Sequence, residues 1–138
     1  MSTLAVSSPT AYGLAALAVL VIAQVVVATA AARRGGHVPG VAIQDGPRSF
    51  AFRAQRAHQN TLENAVPFLV ALAAALAIGV SPRVVDGAVL VFVGARVAHA
   101  SAYYAGVERP RTAAFAIGLL AVLVMSIATL IVAAPVSL

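Results

Sequence analysis

Four long apolar runs, separated only by short stretches rich in glycine, proline or arginine, decide what this chain can fold into. They cover residues of about 11–32, 50–80, 84–106 and 112–134. A helix that crosses a bilayer needs about 20 apolar residues. A chain of 138 residues therefore has room for four spans and little else, all in one domain, 1–138. Charged residues make up 9% of the chain, against roughly 25% in a soluble domain. The expected fold class is all-α: an integral membrane four-helix bundle whose first partner is the lipid bilayer.

The connectors fix an expected orientation. Residues 35–50 are dense in Gly and Pro, from Gly35-Gly36-His37-Val38-Pro39-Gly40 through Asp45-Gly46-Pro47, and read as a loop. Ser81-Pro82-Arg83 reads as a tight turn, Glu108-Arg109-Pro110-Arg111 as the third connector, and Pro135 as the end of the fourth span. The first connector and the early second span carry Arg33, Arg34, Arg48, Arg53 and Arg56, and the third connector carries Arg109 and Arg111. The second connector carries only Arg83, beside Asp86. Arginine accumulates on the cytoplasmic side of membrane proteins. Connectors one and three are therefore expected in the cytoplasm and both termini outside it. No Lys or Arg precedes the first run, and Arg33-Arg34 follows it, which is the pattern of a retained anchor rather than a cleaved signal.

Several chemistries fall away. With no cysteine there is no disulfide, thiolate metal site or cysteine nucleophile. The net charge of +5 comes from arginines scattered among apolar spans, so a nucleic-acid partner is not expected. No paired His spacing suggests a metal. No nucleophile–base motif or phosphate loop is present.

Two polar stripes interrupt the apolar pattern. In the second span, at 100° per residue, Arg53, Arg56, Asn60, Glu63 and Asn64 share one broad face that Pro67 continues, while His58 points the other way. In the third, Arg96, His99 and Tyr103 follow at i, i+3 and i+7. Arg96 lies halfway along its span, where an arginine costs roughly 2.5–3.5 kcal/mol on insertion scales. It must be paired inside the bundle, and Glu63 is the one acidic residue suitably placed in another span. A Glu63–Arg96 contact is expected. Gln24 is the only strongly polar residue of the first span.

The segment Arg56-Ala57-His58-Gln59-Asn60-Thr61-Leu62-Glu63-Asn64-Ala65-Val66-Pro67-Phe68 resembles the MAPEG family, membrane-associated proteins in eicosanoid and glutathione metabolism. Gly94-Ala95-Arg96-Val97-Ala98-His99-Ala100-Ser101-Ala102-Tyr103 is a second similar segment, and Arg109-Pro110-Arg111-Thr112 a looser third. The resemblance extends over about residues 10–135. It implies a left-handed bundle assembled as a homotrimer. It also implies glutathione, or another low-molecular-weight thiol, bound between subunits near the cytoplasmic face, with lipophilic substrates arriving from the bilayer. Carried over by position, Asn60, Glu63, His99, Tyr103 and Arg111 contact the thiol, and Arg33 or Arg34 contributes from an adjacent subunit. Arg111 is the residue expected to stabilise the thiolate.

Two positions depart from the pattern. Gln59 stands where some members have an arginine that binds a glutathione carboxylate, and Phe115 where some have a tyrosine near the thiol. The resemblance thus implies a thiol-dependent transferase or peroxidase and leaves a second reading, a non-catalytic scaffold or accessory subunit. A small multidrug exporter fits poorly, because such transporters usually centre on an acidic residue in the first span and this one has none.

Overall fold

The computed structural model describes residues 6–38 and 40–134. Pro135, expected to end the fourth span, lies outside the described residues, as does Pro39 of the first connector. Four helices account for most of the chain: α1 (Ser8–Arg34), α2 (Phe50–Ala77), α3 (Pro82–Ala105) and α4 (Glu108–Ala133). Each is long and apolar enough to cross a membrane.

Local chemistry sets the helix ends. Ser7 caps α1, its Oγ accepting from the Thr10 amide at 3.4 Å. Ser49 caps α2 in the same way through the Phe52 amide. Pro82 sits in the first turn of α3, where its missing N–H removes no helical bond. Gly106 ends α3 with φ 72°, a left-handed position that glycine takes without Cβ strain. Pro67 lies inside α2 and removes the bond to the carbonyl of Glu63.

Two connectors differ from the sequence expectation. Glu108-Arg109-Pro110-Arg111 is the first turn of α4, so the third connector shrinks to Gly106 and Val107. The physical reason is ordinary: an acidic residue favours a helix N-terminus, and a first-turn proline needs no N–H partner. Likewise α2 ends at Ala77, and Pro82-Arg83 already belongs to α3. The turn between them is 78–81, with Gly79 at φ 76°.

The two inner helices are α2 and α3. α1 packs on both, α4 packs on both, and α1 and α4 share no contact. Half of the membrane-crossing stretch of α3 is buried, against 11% of that of α1. The core holds Leu17, Phe68, Leu72, Val89, Phe92 and Met125. Phe68 and Phe92 stack across α2 and α3, with centroids 3.9 Å apart and rings 1° from parallel. Gly13 lets α1 approach α3 closely: a Cβ there would collide with Val89 Cγ1. Large apolar side chains such as Val19, Ile22, Val70, Leu120 and Ile131 face outward, the arrangement of a surface solvated by lipid.

Polar ties hold each end of the bundle. At the end where α1 and α3 begin, the Ser7 and Thr10 hydroxyls both donate to Asp86 Oδ1, the latter at 2.7 Å. At the opposite, arginine-rich end, Arg53 donates to the carbonyls of Pro47 and Arg48 at 3.0 and 2.8 Å. Its other terminal nitrogen reaches the Tyr104 carbonyl at 3.4 Å. Gln55 accepts from the Ile43 amide at 3.0 Å, and His37 pairs with Asp45 at 2.8 Å. The first connector is thus fastened to α2 rather than hanging free.

Candidate functional site

The polar stripes of α2 and α3 meet at Arg96. Its side chain is fully buried between three helices. Nη1 donates to Asn60 Oδ1 on α2 at 3.1 Å. The guanidinium carbon lies 5.5 Å from the Phe92 ring centroid and 5.7 Å from that of Phe115 on α4, within cation–π range. Gly118 completes the enclosure: a Cβ there would come within 2.5 Å of Nη2. A charge at this depth is thereby supported by one amide oxygen and two aromatic faces.

The expected Glu63–Arg96 contact is not formed. Glu63 is exposed, on the outer side of α2. Between Asn60 and Glu63 the helix turns 300°, so the two side chains leave α2 about 60° apart. The buried face of α2 presents Thr61, Asn64 and Phe68. Charge alone favoured Glu63, but the rotation of α2 offers Asn60. Asn64 turns onto its own helix, donating to the Asn60 carbonyl at 2.8 Å.

From Arg96 the site continues along α3 toward the arginine-rich end. His99 is buried one turn on, its ring 6.0 Å from Phe115 and edge-on to Tyr103 at 5.0 Å. Tyr103 is half-buried, and the Arg111 guanidinium lies over its ring at 4.8 Å. Asn60, Arg96, Phe115, His99, Tyr103 and Arg111 therefore form a continuous line from the interior to one end of the bundle. Nε and Nη2 of Arg96 and Nδ1 of His99 are buried without a hydrogen-bond partner among the described residues.

Not every expected residue joins this line. Arg33 and Arg34 are exposed at the end of α1, and α1 and α4 do not touch, so one chain does not bring Arg34 to Arg111. Gln59, beside Asn60, accepts from Arg56 Nη1 at 3.2 Å. Arg56 lies on the polar face seen in the sequence but was not assigned to the site, and the structure sets its cation against the Gln59 amide. His58 points away, lining a cavity of about 290 Å³ with Gln55, Val41 and Val25 between α1, the first connector and α2. Among the described residues no three His, Asp or Glu side chains gather as metal ligands would.

One buried polar pair escaped the sequence reading. Gln24 Nε2 donates to Thr61 Oγ1 at 3.1 Å across α1 and α2. The signal was Gln24 itself, since a lone amide in an apolar span needs a partner on a facing helix. The identity of that partner depends on helix rotation.

The sequence model of the MAPEG family matches residues 9–131. Comparison with curated proteins and with solved structures gave no match.

Proposed function

The chain belongs to the MAPEG family, and from that premise we propose that it is a thiol-dependent transferase or peroxidase for lipophilic electrophiles. It is a multi-pass integral membrane protein with four helices. The proposed thiol is glutathione or another low-molecular-weight thiol. The observation that carries the reading is the placement of Arg111 over Tyr103, in line with buried His99.

The donor set suits a small zwitterionic peptide thiol. Arg111 and Arg56 offer cations to carboxylates, Glu63 offers an anion to an ammonium, and Asn60, His99 and Tyr103 offer neutral hydrogen bonds. When bound, the thiol supplies a nucleophilic sulfur for transfer to an electrophile or for reduction of a peroxide. Arg111 holds positive charge beside that sulfur and so favours its ionised form. A free thiol has a pKa near 8.5. Lowering it by two units requires about 2.7 kcal/mol of differential stabilisation, within reach of one arginine away from bulk water.

The assembly proposed is a homotrimer, with Arg34 of a neighbouring copy completing the site. Glu63 supports it. That carboxylate is exposed midway along a membrane-crossing helix, where a charge facing lipid costs several kcal/mol and a neighbouring copy would cover it. The arginine-rich end is proposed to face the cytoplasm, with both termini outside, on the loop charges.

Phe115 favours a second reading, a non-catalytic scaffold or accessory subunit. Its ring fills the space between His99 and Arg96 and brings no hydroxyl to it. Calorimetric titration of the detergent-solubilised protein with glutathione separates the two readings. Saturable binding that Arg111→Ala and Glu63→Ala each weaken supports the transferase or peroxidase. No thiol binding, or affinity that neither substitution changes, rejects the assigned site.

A further inference from the structure

We infer that the outward groove between α3 and α4 binds a phospholipid with an anionic headgroup, its acyl chain along the groove and its phosphate on Arg83. The groove encloses about 430 Å³, with Gly87 and Val91 on one wall and Ile117, Leu120 and Val124 on the other. Its floor is Ala88 and Ala121, both buried. The four wall side chains are each about half exposed and present only carbon. A Cβ at Gly87 would meet nothing within 4 Å, so this glycine keeps the groove open rather than permitting a close helix contact.

Depth and charge specify the occupant. From Arg83 to Val91 the groove runs about 12 Å along α3, all within a helix apolar enough to cross the bilayer. The 24 residues of α3 span about 36 Å, more than the hydrocarbon thickness of about 30 Å, so its first turn reaches the headgroup layer. Arg83 stands in that turn and lines the groove, and a side chain of its length extends from such a position toward the phosphate level. Among the described residues it is the only arginine at this end of the bundle. Asp86, one turn away, already accepts from Ser7 and Thr10 on the α1 side. An arginine at the mouth of an apolar trough matches a negatively charged headgroup, whereas a choline headgroup would bring a further cation beside it. The site lies at the opposite end from Arg111 and does not depend on the thiol reading.

Native mass spectrometry of the purified protein, offered equimolar phosphatidylglycerol and phosphatidylcholine, tests this. The expected result is a retained lipid with a preference of about fivefold for phosphatidylglycerol, the contribution of one arginine near an anionic headgroup. Gly87→Leu, which fills the trough with a good helix former, is expected to remove adducts of both lipids. Arg83→Gln is expected to keep the adduct and erase the preference. Leu120→Trp obstructs the same trough from α4 and serves if Gly87→Leu fails to fold. No adduct, or one that neither blocking variant reduces, overturns the proposal. A blocking variant that changes the number of associated copies but not lipid retention also overturns it and marks the groove as a face between copies.

Discussion

Arg96 on α3 donates to the side-chain oxygen of Asn60 on α2 at 3.1 Å, the only hydrogen bond its guanidinium makes among the described residues. A buried cation with a single neutral acceptor responds unequally to the loss of either partner. Asn60→Leu strands the charge and is expected to destabilise the protein by about 2–3 kcal/mol. Arg96→Met removes the charge along with its need for a partner. Replacing buried ionic groups by apolar ones of similar volume is often neutral or stabilising, so Arg96→Met is expected to melt within a few degrees of the parent. Circular-dichroism melts in detergent compare the two, and equal losses would contradict this account.

Gly118 owes its small size to that same guanidinium. A methyl group there would lie 2.5 Å from Arg96 Nη2. Gly118→Ala is expected to cost about 1–3 kcal/mol through overpacking. Gly94, also helical, has open space where a Cβ would stand. Gly94→Ala should therefore be neutral or gain up to about 1 kcal/mol. Parallel thermal melts of the two variants check the contrast.

At the far end, Asp86 holds α1 to α3 through two hydroxyls. Asp86→Ala leaves Ser7 and Thr10 without their acceptor and is expected to destabilise the protein. Asp86→Asn keeps one acceptor oxygen and should lose less. Chemical unfolding in detergent, with helicity as the signal, ranks the parent above the Asn variant and the Asn variant above Ala.

For the proposed thiol chemistry, the sign of the pH effect follows from charge. Removing the Arg111 cation makes ionisation of a bound thiol harder and raises its pKa. The ascending limb of activity against pH is then expected to move upward by about 1–2 units in Arg111→Ala, with Arg111→Lys between it and the parent. An unchanged limb would show that Arg111 does not face the sulfur.

The number of helices and most of their limits were legible because bilayer length and apolar runs leave one arrangement of spans. The α3 stripe was legible too, since the 3.6-residue period puts His99 near Tyr103 whatever the neighbours do. Which α2 side chain meets Arg96 was not, because it depends on a rotation of about 60°. Charge matching chose Glu63 where burial of Thr61, Asn64 and Phe68 presents Asn60. The start of α4 was obscured by Arg-Pro-Arg, which looks like a loop yet suits a first helical turn. The Asp86 tie was hidden for a different reason. Ser7 and Thr10 stand 79 and 76 residues away in the chain, and nothing local to any of them announces the others.

Asn60 precedes Arg96 by 36 residues, and that order bears on how the protein is made. The ribosome delivers α1 and α2 first, with the Gln24–Thr61 bond available to join them. The acceptor is thus already in the membrane when α3 brings in the cation that could not rest there alone. α4 follows after only two residues, and its Gly118 closes over the guanidinium last. Exchanging the order of the two hairpins in the gene would send the arginine in ahead of its partner, and insertion efficiency would reveal how much the sequence of events matters.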